Sequence, residues 1–90
     1  MVAIRIPGPF RRFTGDATTV TVPAATVGAA LQALVGQHEG LAPHLYDNEG
    51  RLHGFVNVFL NRVDVRTLQA EATAVQETDE IVLLPSIAGG

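Results

Sequence analysis

The sequence contains no cysteine and no lysine, and each absence removes chemistry before any element of structure is placed. Without cysteine there is no disulfide, no thiolate nucleophile, no cysteine-held metal and no iron–sulfur centre of the ferredoxin type. Without lysine, the basic side chains are six arginines, and no side-chain amine can accept an acyl group. Long apolar runs are missing too: none reaches the roughly 20 residues that a membrane-spanning helix needs. The opening MVAIRIPGPFRR lacks the charged, then apolar, then small-residue order of a secretory leader. The cytoplasm is therefore the expected compartment, and no membrane partner is expected. Charge is sparse, at 17% of residues, and sums to −3. A nucleic-acid partner, which would call for a basic face to neutralise phosphates, is not expected.

What remains is a globular composition, 47% hydrophobic over 90 residues. That length suits one core, so residues 1–90 are expected to form a single domain. VAIRI alternates Val2, Ile4 and Ile6 against Ala3 and Arg5, the period of a half-buried strand, and Pro7-Gly8-Pro9 ends it. ATTVTVP is β-branched, alternates again and stops at Pro23, so the two strands are expected to form a hairpin around RRFTGD.

The next segment changes period. Val27, Ala30, Leu31, Leu34 and Val35 share one helical face behind a capping Thr26, and Gly36 and Gly40 offer places to stop. LAPHLYDNEGRLHG reads as an irregular crossover with apolar anchors at Leu41, Leu45 and Tyr46 and a polar turn at Asp47 to Gly50. FVNVFLN is a strand by composition, RVDV a short second one, and TLQAEATAVQETD a loop or one helical turn. EIVLLP is apolar on consecutive positions, with Ile81 and Leu83 facing one way and Val82 and Leu84 the other, which suits a central strand. The order of elements predicts an α+β protein of the ubiquitin-like β-grasp class, a mixed sheet of four to five strands packed on one main helix.

Catalytic constellations are hard to assemble. His38, His44 and His53 match no zinc spacing and are expected as solvated loop residues, so no metal site is expected. Asp47 to Gly50 lacks the alternating oxygen ligands of a calcium loop. Ser86 has no nucleophile elbow around it, adjacent Asp79 and Glu80 point to opposite faces of a strand, and no glycine-rich phosphate loop precedes the helix. Phe10 and Phe13 beside Arg11 and Arg12 read as loop anchors for the core, with base stacking as the competing reading. The chain is expected to be acted upon rather than to act.

The ending LPSIAGG offers two readings. Gly89 and Gly90 are either an inert frayed end or a slender tail whose terminal carboxylate is the working group. Glycine has no Cβ to obstruct entry into a narrow active site, and fixing such a tail costs about 1–2 kcal/mol per backbone residue, so a docking surface elsewhere must help. Val82 and Leu84, with Ile87 and Ala88 at the base of the tail, are candidates for that surface; the competing reading places the apolar ones in the core.

The motif FRRFTG after the first strand, the segment FVNVFLNRVDVR and the ending LLPSIAGG together resemble the ubiquitin-like sulfur carrier (MoaD/ThiS) family over nearly the whole chain. The stretches IPGPFRRFTG and LHGFVNVFLNRVDVR look most similar to its cysteine-synthesis branch, ahead of the small subunit of molybdopterin synthase and the thiamine-pathway carrier. The resemblance implies a protein co-substrate rather than an enzyme. An ATP-dependent adenylyltransferase like the ubiquitin-activating enzymes would adenylate the Gly90 carboxylate, with Gly89 beside it, and a sulfur donor would convert it to a thiocarboxylate. No cofactor would be bound by the chain itself, and residues 86–90 would be a flexible tail. Implied partners are the activating enzyme, an acceptor such as a cysteine synthase or the molybdopterin synthase large subunit, and a metalloprotease that trims after Gly-Gly. Arg11 matches an arginine that recurs in the family's first loop, with a contribution to a partner or to the fold. Conjugation to other proteins through Gly90, as a ubiquitin-like modifier, is the alternative that the same activated terminus allows.

Overall fold

The computed structural model describes residues 1–53 and 56–85. Strands β1 (Val2–Arg5) and β2 (Thr19–Val22) pair antiparallel, with Ile4 opposite Val20. The expected hairpin therefore forms, but its connection is more ordered than a plain loop. Gly8–Phe13 makes a 3-10 helix that drops Phe10 into the core, and Thr14, a buried hydroxyl, lies 3.1 Å from the carbonyl oxygens of Arg11 and Ala17. The chain reverses through Gly15 and Asp16, both at positive φ.

Helix α1 (Val27–Gln37) starts where its cap predicts, the Thr26 hydroxyl accepting from the Ala29 N–H at 3.1 Å. Val27, Ala30, Leu31 and Leu34 are fully buried against the sheet. The helix stops at neither expected glycine. Gly36 is helical, and the break comes at His38, whose backbone turns to φ −132 and ψ 79 while its N–H still reaches the Leu34 carbonyl at 2.9 Å. Gly40 has a packing purpose instead: the Phe13 ring lies so close that a Cβ there would sit 3.1 Å from Cδ1. The crossover that follows contains a one-turn helix, α2 (Ala42–Leu45), which the irregular reading omits; Leu41 and Leu45 are its fully buried anchors.

Strands β3 (Val56–Leu60) and β4 (Val63–Asp64) form a tight hairpin through Asn61 and Arg62, both at positive φ, the arrangement whose twist matches a two-residue turn. The return path is pinned by the buried Val65 and Val75 and carries two short 3-10 turns, at Val65–Thr67 and Ala70–Ala72. Strand β5 (Glu80–Pro85) then inserts parallel to β1 and antiparallel to β3, giving a five-stranded sheet in the order β2-β1-β5-β3-β4. The last strand is thus central, as its consecutive apolar residues require. One face of the sheet, with Ile4, Val22, Val58, Ile81 and Leu83, closes on α1 and excludes water. Burying each such side chain contributes roughly 1.5–3 kcal/mol relative to leaving it exposed. A mixed sheet wrapped around a single long helix is the β-grasp architecture.

Candidate docking face and tail

Side-chain alternation in β5 divides its residues between two environments. Ile81 and Leu83 are 0% and 1% exposed on the helix side, whereas Val82 is half-buried and Leu84 is 47% exposed on the other. Of the two readings open for these residues, the core is therefore filled by their neighbours. Cross-strand register builds the rest of the outer face: Val82 stands between Arg5 of β1 and Phe59 of β3, and Leu84 stands beside Asn57.

Arg11 reaches the same place from a different element. The 3-10 helix after β1 carries it back over the strand it follows, where its Nε donates to the Ile6 carbonyl at 3.0 Å. Arg11 as a residue is half-buried, and its two terminal nitrogens have no acceptor or carboxylate among the described residues. Arg11, Arg5, Pro7, Val82 and Leu84 line a shallow groove of about 250 Å³ beside the C-terminal half of β5. The structure brings Arg11, Val82 and Leu84 together. Ile87, Ala88, Gly89 and Gly90 lie outside the described residues.

Two features of this face carried no signal in local sequence. Phe59 is found only through its register with Val82. Arg66, beyond β4, is fastened to the same sheet by a network in which its Nη2 donates to Asp64 Oδ2 at 2.7 Å and to Asn57 Oδ1 at 3.0 Å. Those hydrogen bonds hold the Asp64 carboxyl below its ordinary range and the Arg66 guanidinium above its own. On the opposite flank Arg5 faces Glu80 at 4.0 Å, a long and largely solvated pair that adds little to stability.

Other candidate constellations find structural explanations. All three histidines are partly buried rather than solvated as expected: His38 ends α1, His44 packs its ring against Phe13 at 4.4 Å, and His53 lies 3.2 Å from the Pro43 carbonyl. No group of three metal-ligating side chains occurs among the described residues. Phe10 and Phe13 pack inward, with Arg12 over the Phe13 ring at 4.9 Å, so stacking surfaces for bases are not presented. A larger cavity of about 330 Å³ opens on the helix side, between Val27, Val58, Val65 and Glu71, and contains none of the residues expected to serve the tail. No helix among the described residues is long and apolar enough to cross a membrane.

A five-stranded mixed sheet in the order β2-β1-β5-β3-β4, with its last strand central and one long helix across a single face, defines a ubiquitin-like protein. The model of the ThiS family matches residues 4–90, and the chain belongs to that family. It is 36% identical over 91 residues to the sulfur carrier protein CysO of Mycobacterium tuberculosis, across 99% of this chain and 98% of that protein. It superposes with a TM-score of 0.89 on a chain in the crystal structure of the Amycolatopsis orientalis BexX/CysO complex, at 33% identity and with 100% of both chains covered. Small archaeal modifier protein 1 of Haloferax volcanii is 41% identical over 66 residues, covering 73% of this chain and 71% of that one.

Proposed function

We propose that this chain is a sulfur carrier whose Gly90 carboxylate is adenylated and converted to a thiocarboxylate that supplies sulfur to biosynthesis, with cysteine as the product favoured over molybdopterin. The observation that carries the reading is the end-to-end similarity to a protein named as a sulfur carrier, a match that runs through the Gly-Gly sequence. The relatives are named as carriers and modifiers rather than as catalysts, which supports a co-substrate and not an enzyme.

The chemistry explains why such a tail needs ATP. A carboxylate resists attack because its oxygen is a poor leaving group. Attack of that oxygen on the α-phosphorus of ATP expels pyrophosphate and leaves an acyl-adenylate. A hydrosulfide equivalent then adds to the acyl carbon, the carbon–oxygen bond to AMP breaks, and AMP departs with the electron pair. The adenylyltransferase supplies ATP binding and the catalytic groups; this chain contributes the terminus and the surface that presents it. Gly89 and Gly90 fit a narrow channel because neither has a Cβ. Ala88 and Ile87 would lie at its mouth, and Val82, Leu84 and Arg11 form the docking surface beside it. A relative crystallises in complex with a second protein, BexX, which supports binding to a downstream acceptor as well. A metalloprotease that trims after Gly-Gly is a further partner consistent with this reading.

Intact mass of the protein from its native cells, beside a variant lacking Gly89 and Gly90, tests the proposal. A species in which one oxygen is replaced by sulfur, absent from the truncation, is the expected result. The similarity to small archaeal modifier protein 1 favours one second reading, conjugation to other proteins through Gly90. Recovery of the free acid together with covalent protein adducts, and no thiocarboxylate, would select it.

A further inference from the structure

The outer face holds three arginines, and they are not equivalent. Arg66 is held by Asp64 and Asn57 and arrives at any interface already compensated within the chain, while Arg5 has the Glu80 carboxylate at 4.0 Å as a nearby, solvated countercharge. Glu80 and Asp64 are also the only acidic residues in the five strands. Arg11 differs. Its Nε is taken by the Ile6 carbonyl, which fixes the plane of the guanidinium, while the terminal nitrogens at the groove are left to solvent.

A partner that covered Val82 and Leu84 with apolar surface alone would strip water from Arg11 and leave a buried charge uncompensated, which is strongly unfavourable. A carboxylate placed against the two free nitrogens converts that penalty into a charge-assisted, two-pronged hydrogen bond of fixed geometry. We infer that the protein partner docking on this face presents an apolar patch, covering Val82, Leu84 and Phe59, with one carboxylate set against Arg11 and none required opposite Arg66. The inference rests on the carrier reading above and adds the chemistry of the partner's surface. It has a kinetic corollary: although the chain is acidic overall, at −3, its association is steered by a local positive site and slows as salt rises.

The test measures the initial rate of thiocarboxylate formation on the purified full chain, in desalted extract of the native cells supplied with ATP and sulfide, at low and high ionic strength. Arg11→Glu is expected to slow the reaction at least roughly tenfold at low salt, and Arg11→Gln to flatten its salt dependence. Arg66→Gln, outside the groove and with its charge already engaged by Asp64 and Asn57, is expected to stay within about threefold of the parent. Arg62→Glu, in the β3–β4 turn, controls for net charge. Equal slowing of Arg11→Gln at every salt concentration would mean a structural contribution only and would overturn the inference. So would a parent-like rate and salt slope in Arg11→Glu. If the parent chain sediments as a dimer that Arg11→Gln dissolves, the groove belongs to a second copy, and the inference also fails. No thiocarboxylate on the parent chain itself would overturn the carrier reading and this inference with it, whereas a reacting parent with unaffected variants overturns the inference alone.

Discussion

Asn61 grips Glu80 from both sides: its backbone N–H donates to the Glu80 carbonyl, and its side-chain oxygen accepts from the Glu80 N–H, both at 2.9 Å. The same side chain donates from Nδ2 to Asp79 at 2.8 Å. The start of β5 is thereby locked to the β3–β4 turn. Everything downstream, including which side chains of β5 face the groove, depends on that register, because a slip of one residue exchanges the two faces.

Replacing Asn61 with alanine should remove both side-chain bonds and place a Cβ-bearing residue with no local hydrogen bond at φ 51. A loss of about 1–3 kcal/mol in urea unfolding is expected, from the orphaned donor and the left-handed backbone together. Asn61→Gly relaxes the backbone but not the lost bonds, so its loss should be smaller than that of alanine. Equal losses would show that only the side-chain bonds matter.

The two faces of β5 should respond oppositely to truncation. Leu83→Ala, at a position 1% exposed, is expected to cost about 2–5 kcal/mol by transfer and cavity terms. Leu84→Ala, at a position 47% exposed, should leave stability within about 1 kcal/mol. The rate of thiocarboxylate formation should show the reverse order once the variants are compared under conditions where each is folded. A Leu84 variant that unfolds readily would contradict the placement of this residue outside the core.

The turn after α2 carries its own acid signature. Asp47 Oδ1 accepts the N–H of Arg51 at 3.0 Å and of Glu49 at 2.9 Å, and the Arg51 bond contributes most to holding this carboxyl below its ordinary value. A depressed native pKa means that the carboxylate's stabilisation is complete above the unfolded-state value of about 3.9 and is lost as pH falls through the native one. The stability difference between the parent chain and Asp47→Ala should therefore be constant near neutrality and shrink below about pH 4, measured by urea unfolding across that range.

Much of this was legible in the residues. Helix α1 announced itself through five apolar positions on one face and a threonine cap, and β5 through consecutive apolar residues that only a central strand can bury. The end of α1 was not legible from glycine, because Gly36 is accommodated inside the helix, the break comes at His38, and Gly40 lies beyond it against the Phe13 ring. His44 departs from the solvated expectation for a related reason: it meets the aromatic pair Phe10 and Phe13 across a loop, a tertiary contact with no local pattern. At the site, Val82 and Leu84 could be paired by alternation alone. Phe59 and Arg66 could not, since one depends on strand register and the other on a hydrogen-bonded network spanning nine residues.

Tyr46 offers a direct optical test of packing behind the docking face, because the chain contains one tyrosine and no tryptophan. Burial disfavours the phenolate, Glu71 adds repulsion, and the nearby Gln32 amide only partly offsets them, so the hydroxyl is pushed up to about 12 from an ordinary 10.0. A raised native pKa means that the neutral phenol stabilises the fold fully below the unfolded-state value near 10, and that this contribution is lost as pH rises through the native value. Phenolate absorbance of the folded chain should therefore remain low past pH 10 and rise only toward 12 or with alkaline unfolding, whereas in concentrated urea the midpoint should return to about 10. Glu71→Gln should move the native midpoint downward by removing the repulsion while leaving the urea midpoint unchanged. A native midpoint already near 10 would mean that the Tyr46 hydroxyl is solvated and that the crossover between α2 and β3 packs less tightly than the structure shows.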